Sequence, residues 1–301
     1  MDTKILLENG TNELEVLEFI LDGYAYGINV AKVKEIIPYQ ETVPVPHSHQ
    51  SIEGIFMPRD TLITAIDLRN CLNGGVSKPT GLFIVTNFNK LDIAFHVDAV
   101  ERIHRVSWEN IIKPGAALFN EEEGITTGIV KLDGKLVIIL DFEKIVTDIN
   151  PETGLKVSEI DELGTRTRSN VPILIAEDSV LLNRLIVNSL KKAGYDNLTR
   201  TYNGQEAYEF ILECKSQGTL KEDVQCIITD IEMPLMDGHR LVKLVREDDI
   251  AKDIPIIIFS SLVNDDMRRK GEALGANAQL SKPEIGNLVK IIDELVSQRK
   301  K

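Results

Sequence analysis

Four sets of polar residues in the second half of the chain each follow a short apolar run. Glu177-Asp178 follows Ile173–Ala176, and Asp230 follows Cys226–Thr229. Ser260 follows Ile256–Phe259, and Lys282-Pro283 comes just after Ala278–Leu280. Runs of this length and composition, separated by helical patterns, read as buried parallel strands. The carboxylates, hydroxyl and ammonium then gather at the carboxyl edge of one sheet, where open α/β sheets place their sites. The chemistry that fits is a phosphorylatable aspartate beside a divalent metal. A carboxylate attacks a phosphoryl group poorly because both are negative. The barrier falls when charge is neutralised and the groups are held in line.

In that arrangement Asp230 is the nucleophile, and Asp178 and Asp230 bind Mg²⁺ directly. Glu177 reaches the metal through water, and the Glu232 main-chain carbonyl completes the protein's ligands. Lys282 and the Ser260 hydroxyl each hold a phosphoryl oxygen. Each residue alone also has a plainer role: an acidic pair complements a helix dipole, Ser caps a helix, and Lys-Pro makes a loop. Their joint occurrence at successive strand ends is what points to a site.

The elements that must position these groups alternate strand and helix. Helical patterns run over Val180–Ala193, Gln205–Lys215, Arg240–Glu247, Asp265–Leu274 and Ile285–Gln298. With the strands they predict a flavodoxin-like, five-stranded parallel α/β sheet with helices on both faces, over residues 171–298. Residues 149–170 are polar and read as a linker with one short helical turn at most.

Residues 12–148 read differently. Strand-like runs lie at Leu14–Leu21, Tyr24–Ile28, Leu62–Leu68, Leu82–Phe88, Ile93–Val97, Gly128–Leu132 and Leu136–Leu140. Asp22-Gly23 and Asp133-Gly134 mark turns between neighbours. Val30–Ile37 has apolar residues at helical spacing and is closed by Pro38, which predicts one short helix. The expectation is a multidomain chain, an all-β paired-barrel or sandwich domain followed by the α/β domain.

Composition narrows the function. The 301 residues are 43% hydrophobic and 27% charged, as in globular proteins. A net charge of −13 argues against a nucleic-acid partner, which requires a basic face. No run approaches the roughly 20 apolar residues that span a bilayer, and direct membrane insertion is not expected. Met1–Gly10 lacks the basic start and apolar core of a signal peptide, so the cytoplasm is the expected location. Cys71, Cys214 and Cys226 have no metal-like spacing. His47 and His49 suggest a metal pair, but no further ligand set follows them, and they read as loop histidines.

The motifs carry family resemblances. Residues 171 to about 298 resemble a response-regulator receiver domain, on Ile173–Asp178, Ile227–Gly238, Ser260 and Lys282-Pro283. That resemblance implies a phosphoryl group passed from a histidine kinase to Asp230, with Mg²⁺ required. Many receivers carry Tyr or Phe three residues before the lysine as a switch; here Gln279 stands there. Residues 12–148 are similar to CheW-like coupling domains, on Leu17–Ile20, Tyr26–Ile36, Ile52–Ile55 and Ile66–Arg69. This implies binding to the histidine kinase CheA and to the cytoplasmic tips of chemoreceptors. Arg59, in Met57-Pro-Arg-Asp60, falls where that family commonly reads Asn-Leu-Arg-Gly, and is a candidate receptor contact. Its alternative is a surface arginine paired with Asp60 or Asp67.

Coupling domain followed by receiver is the layout of CheV-type chemotaxis coupling proteins. It implies a phosphorylation-tuned scaffold rather than an enzyme with an external substrate. Two rivals remain. One is a receiver serving as a phosphate-independent interaction domain. The other is a haloacid-dehalogenase-type phosphohydrolase, which places its second acidic cluster after the lysine and usually has Asp where this chain has Glu232.

Overall fold

The computed structural model describes residues 12–88, 91–112, 124–155, 158–164, 166–262 and 265–299. The signal-peptide expectation for Met1–Gly10 lies outside them. Two compact units result, Leu14–Gly154 and a second formed by the chain from Leu155 onward.

The first unit contains β1 (Glu13–Leu21), β2 (Tyr24–Asn29), β3 (Val33–Pro38), β4 (Ile52–Phe56) and β5 (Ile63–Asp67). Helix α1 (Leu68–Asn73) leads to β6 (Leu82–Phe88), β7 (Leu91–Val97) and β8 (Ala99–Ser107). Then come β9 (Thr126–Leu132), β10 (Lys135–Leu140) and α2 (Phe142–Ile149). The strands form two five-stranded sheets, ordered β8-β1-β2-β10-β9 and β3-β6-β7-β5-β4.

Strand β1 explains why its sequence is apolar on both alternations. Leu17, Phe19 and Leu21 enter a core with Ile66, Ile84 and Phe95 of the other sheet. Leu14 and Val16 point the other way, into a cluster with Trp108, Val130 and Val137. The predicted helix over Val30–Ile37 does not form. Val30–Lys32 makes a single 3₁₀ turn, and Val33–Pro38 pairs antiparallel with β6. Buried Ile37 beside exposed Ile36 gives the two-residue period of a strand. Pro38 is the last residue of that strand, where a missing N–H costs least.

The second unit contains α3 (Ser158–Asp161), β11 (Ile173–Ala176), α4 (Val180–Lys192), β12 (Leu198–Thr201) and α5 (Gly204–Gln217). It continues with α6 (Leu220–Asp223), β13 (Cys226–Thr229), α7 (Gly238–Glu247) and β14 (Ile256–Ser260). Helix α8 (Asp265–Leu274), β15 (Ala278–Ser281) and α9 (Ile285–Arg299) complete it. The sheet is parallel throughout, in the order β12-β11-β13-β14-β15. Every residue of β11, β13 and β14 is buried, which is why these strands read as unbroken apolar runs. Ser179, Asn203 and Asp237 cap α4, α5 and α7 through their side-chain oxygens.

Part of the stretch read as a linker is packed on this unit. Ile160 is buried in its core beside Ile173, Tyr195 and Ile292, and Leu155 and Leu163 pack against the same cluster.

His96, on β7, is buried and has two polar partners. Its Nδ1 lies 2.8 Å from Glu53 Oε2 and its Nε2 2.6 Å from the Thr80 carbonyl, while its ring stacks on Tyr39. Both nitrogens face acceptors, so only the doubly protonated imidazolium donates to both. Burial opposes that charge, but Glu53, the Thr80 carbonyl and Asp67 outweigh it and raise the pKa. A raised value stabilises the fold fully below the unfolded histidine's pKa of about 6.5, and the gain is lost as pH rises through the folded value. Trp108, the single tryptophan, is buried in this unit and reports its unfolding. Urea unfolding followed by Trp108 fluorescence should show stability falling as pH rises above neutral. His96→Gln should flatten that slope.

Candidate phosphoacceptor site

Ala176 and Thr229 are register partners, so Glu177 and Asp230 leave the sheet side by side. Ser260 and Ser281 pair further along, which brings Lys282 to the same rim. Glu177, Asp178 and Asp230 each place an oxygen within 4.8 Å of the others. Lys282 Nζ lies 2.7 Å from Asp230 Oδ2 and 3.1 Å from Glu177 Oε2. Glu177, Asp230 and Lys282 are each at most 5% exposed, and Asp178 is half-buried.

The remaining contacts orient these groups. The Ile231 amide donates to Asp230 Oδ1 at 2.6 Å and the Ser179 amide to Glu177 Oε1 at 3.2 Å. The fully buried Asn183, on α4, donates through Nδ2 to the carbonyls of Glu177 and Thr201, each at 3.0 Å, and accepts from Arg200. It fixes the backbone from which the acidic pair projects. Sequence reasoning missed this residue; its signal is an asparagine on the apolar stripe of a helix. The loop after Asp230 folds back so closely that a Cβ on Gly238 would lie 1.9 Å from the Asp230 carbonyl oxygen. This glycine is required by contact, not by backbone angle.

The charges do not balance. Three carboxylates face one ammonium in a largely dry rim, and burial, with Asp230 and Asp178 adding to it against Lys282, pushes the Glu177 carboxyl well above its usual range. Glu177 Oε2 has the Lys282 ammonium 3.1 Å away but makes no well-aligned hydrogen bond among the described residues. Clustered hard oxygens that share one ammonium fit a divalent cation.

The other sequence candidates fall as follows. Ser260 is buried at the end of β14, and its Oγ accepts the Leu262 amide at 3.2 Å, leaving its proton to donate elsewhere. Glu232 is half-buried in the loop after Asp230. Gln279 donates to the Leu262 carbonyl at 3.3 Å, and its other amide atom packs against Gly271 of α8. Arg59 lies far along the chain, in the turn between β4 and β5, with a positive φ of 50°. It is 80% exposed and pairs with Glu35 at 2.9 Å, rather than with Asp60 or Asp67. His49 accepts the Ser51 amide at 3.2 Å, and among the described residues no cluster of three potential metal ligands includes it.

Comparison with known proteins agrees with this geometry. Residues 15–150 match the CheW-like domain and residues 173–293 the response regulator receiver domain. Chemotaxis protein CheV3 of Helicobacter pylori is 29% identical over 287 residues, spanning 90% of this chain and 91% of that one. Chemotaxis protein CheV2 of the same organism is 28% identical, spanning 95% and 96%. Chemotaxis protein CheW of Thermotoga maritima is 28% identical and covers 50% of this chain and 98% of its own. The chain therefore has the CheV-type architecture, a CheW-like domain followed by a receiver.

Two outcomes follow for this site. Gly238→Ala should destabilise the second unit by about 3 kcal/mol or more, as read by chemical denaturation followed by circular dichroism. Asp178→Asn, which keeps size but removes charge, should weaken divalent-cation binding by about tenfold in a calorimetric titration.

Proposed function

We propose that this CheV-type chain is a chemotaxis coupling scaffold whose receiver takes a phosphoryl group on Asp230. Residues 12–148 would bridge the histidine kinase CheA and the cytoplasmic tips of chemoreceptors, in the cytoplasm. Residues 171–298 would carry the regulatory mark. The observation that supports this most is the buried Lys282 ammonium, 2.7 Å from Asp230 and beside two further carboxylates.

An Asp230 carboxylate oxygen attacks the phosphorus of a phosphohistidine on the kinase. A P–O bond forms, the P–N bond breaks, and the imidazole leaves with its electron pair and gains a proton from solvent. The Ile231 amide holds Asp230 Oδ1, so the carboxylate is oriented before the donor arrives. Lys282 then has a phosphoryl oxygen to neutralise, and Ser260, whose Oγ accepts the Leu262 amide and keeps its proton, would donate to another. Glu177, Asp178, Asp230 and the Glu232 carbonyl are the groups that would hold Mg²⁺, which offsets phosphoryl charge when bound. Chemistry stops at self-modification, and the chain acts as a phosphoacceptor and coupling protein rather than as an enzyme.

On the first domain, Arg59 is the candidate contact for an acidic partner group. Its present ion pair with Glu35 is solvent-exposed and holds it weakly.

Incubation with Mg²⁺ and a small acyl phosphate should add one phosphoryl mass to the wild type and none to Asp230→Asn. Equal labelling of both would refute the assignment. In a reconstitution with CheA and receptor, the two proteins should give different kinase activities when donor is present.

A further inference from the structure

The chain between the two domains reaches helix α9 of the receiver through three anchors. Glu159 Oε2 accepts the Gly286 amide at 3.0 Å, in the first turn of α9. Ile160 is 3% exposed, inside the receiver's core. Further on, Arg166 makes a two-pronged bond to Asp293 at 2.6 and 2.7 Å and also donates to the Ala193 carbonyl at 2.8 Å. Asp293 in turn accepts from the Tyr195 hydroxyl, so a single α9 carboxylate ties together that chain, α4's end and α9.

The first anchor lies next to the phosphoacceptor site along the chain. Lys282 holds Asp230 and Glu177, and α9 begins three residues later. The connecting turn is tight, because the Glu284 amide donates to the Ser281 carbonyl and the Leu288 amide to the Glu284 carbonyl. The contact at Gly286 leaves no slack: a Cβ there would lie 3.0 Å from Glu159 Cβ and 3.1 Å from its Oε2. A small displacement of the first turn of α9 therefore stretches or breaks the Glu159 bond.

From these contacts we propose that the chain anchored by Glu159, Ile160 and Arg166 is a latch, seated on α9 while Asp230 is unmodified and released when Asp230 carries phosphate. The proposal rests on Asp230 as phosphoacceptor. In the unmodified site Lys282 is drawn to two carboxylates. A phosphoryl group on Asp230 presents it with a larger, differently placed negative charge, and Lys282 re-aims. The backbone of Lys282 leads directly into α9, so its movement is delivered to Gly286. Loss of that bond leaves Ile160 and the half-exposed Arg166–Asp293 pair to hold the segment. Release lengthens the free connection between the domains, which is a change that the coupling domain can register without any contact from the receiver. Release of this kind breaks the Glu159 and Arg166 bonds and exposes Ile160 while the sheet stays intact, a local opening of one segment.

The test is hydrogen exchange on the full chain with Mg²⁺, with and without a small acyl phosphate, and with the label measured by mass on the same samples. In the labelled wild type, amides of residues 158–164 and 166–168 should exchange about threefold faster or more, while β11 and β13 stay protected. Asp230→Asn should show no change on adding donor. Glu159→Ala should exchange fast without donor and gain little from it, whereas Glu159→Gln, which keeps an oxygen acceptor, should behave as wild type. Full labelling with unchanged exchange overturns the latch and leaves the phosphoacceptor intact. Slow exchange in unlabelled Glu159→Ala overturns it as well. Absence of label in the wild type removes the phosphoacceptor reading and the latch together.

Discussion

The second domain is organised around a charge that its own residues leave uncancelled. Lys282 answers two buried carboxylates at once, Asp230 and Glu177, and a third, Asp178, stands beside them. Burying such an imbalance is costly unless a cation or a change of charge completes it. The rest of the domain serves to hold that unfavourable cluster in place. Three fully buried strands set the spacing of the acids, Asn183 pins the backbone behind Glu177, and Gly238 lets the following loop close against Asp230. A site so arranged responds strongly to small changes in charge, because buried charges are poorly screened.

The first domain treats its buried charges in the opposite way. His96 meets Glu53, His104 meets Glu18 at 2.6 Å, and the buried Lys32 meets Glu143 at 3.1 Å while lying over Phe88. Each of these three groups has its counterpart, and nothing comparable to the acidic trio is found there among the described residues. Pairs of this kind hold neighbouring elements in register rather than provide chemistry. A domain that couples partners through its surface needs a rigid frame, and the core shared by its two sheets supplies one.

How much could be read from the sequence depended on burial. The strands of the receiver sheet are buried on both faces, so their apolar runs and the polar residues at their ends were visible as a set. Strand β8 was not, because only Val106 of it is buried and Ala99–Ser107 carries Glu101, Arg102 and Arg105 among its apolar residues. Val33, Ile36 and Ile37 are spaced three and one apart, which suits a helix as well as a strand, and pairing with β6 decided between them. Residues 149–170 looked uniformly polar, yet Ile160 and Arg166 are anchors whose partners, Ile292 and Asp293, lie more than a hundred residues away. Gly238 and Asn183 have nearby partners, the Asp230 and Glu177 carbonyls, yet what each touches is set by how the loop and helix fold back.

Gln279 bears on how a change at the site can leave it. An aromatic residue at this position could swing between outward and inward packing, but the glutamine is held by a hydrogen bond on one side and close packing on the other. Its Nε2 donates to the Leu262 carbonyl, and its Oε1 lies so near Gly271 that a Cβ there would come within 2.6 Å of it. Glycine inside a helix costs about 1 kcal/mol relative to alanine, so the gap in α8 exists for a packing reason. The peptide of Leu262 is clamped as well, its N–H on Ser260 and its carbonyl on Gln279. A strand-centred swing would have to break both bonds and open space in α8. The first turn of α9 is reached through three residues of backbone from Lys282 and carries the Glu159 bond at Gly286, so a displacement that leaves the site along the chain meets that bond first.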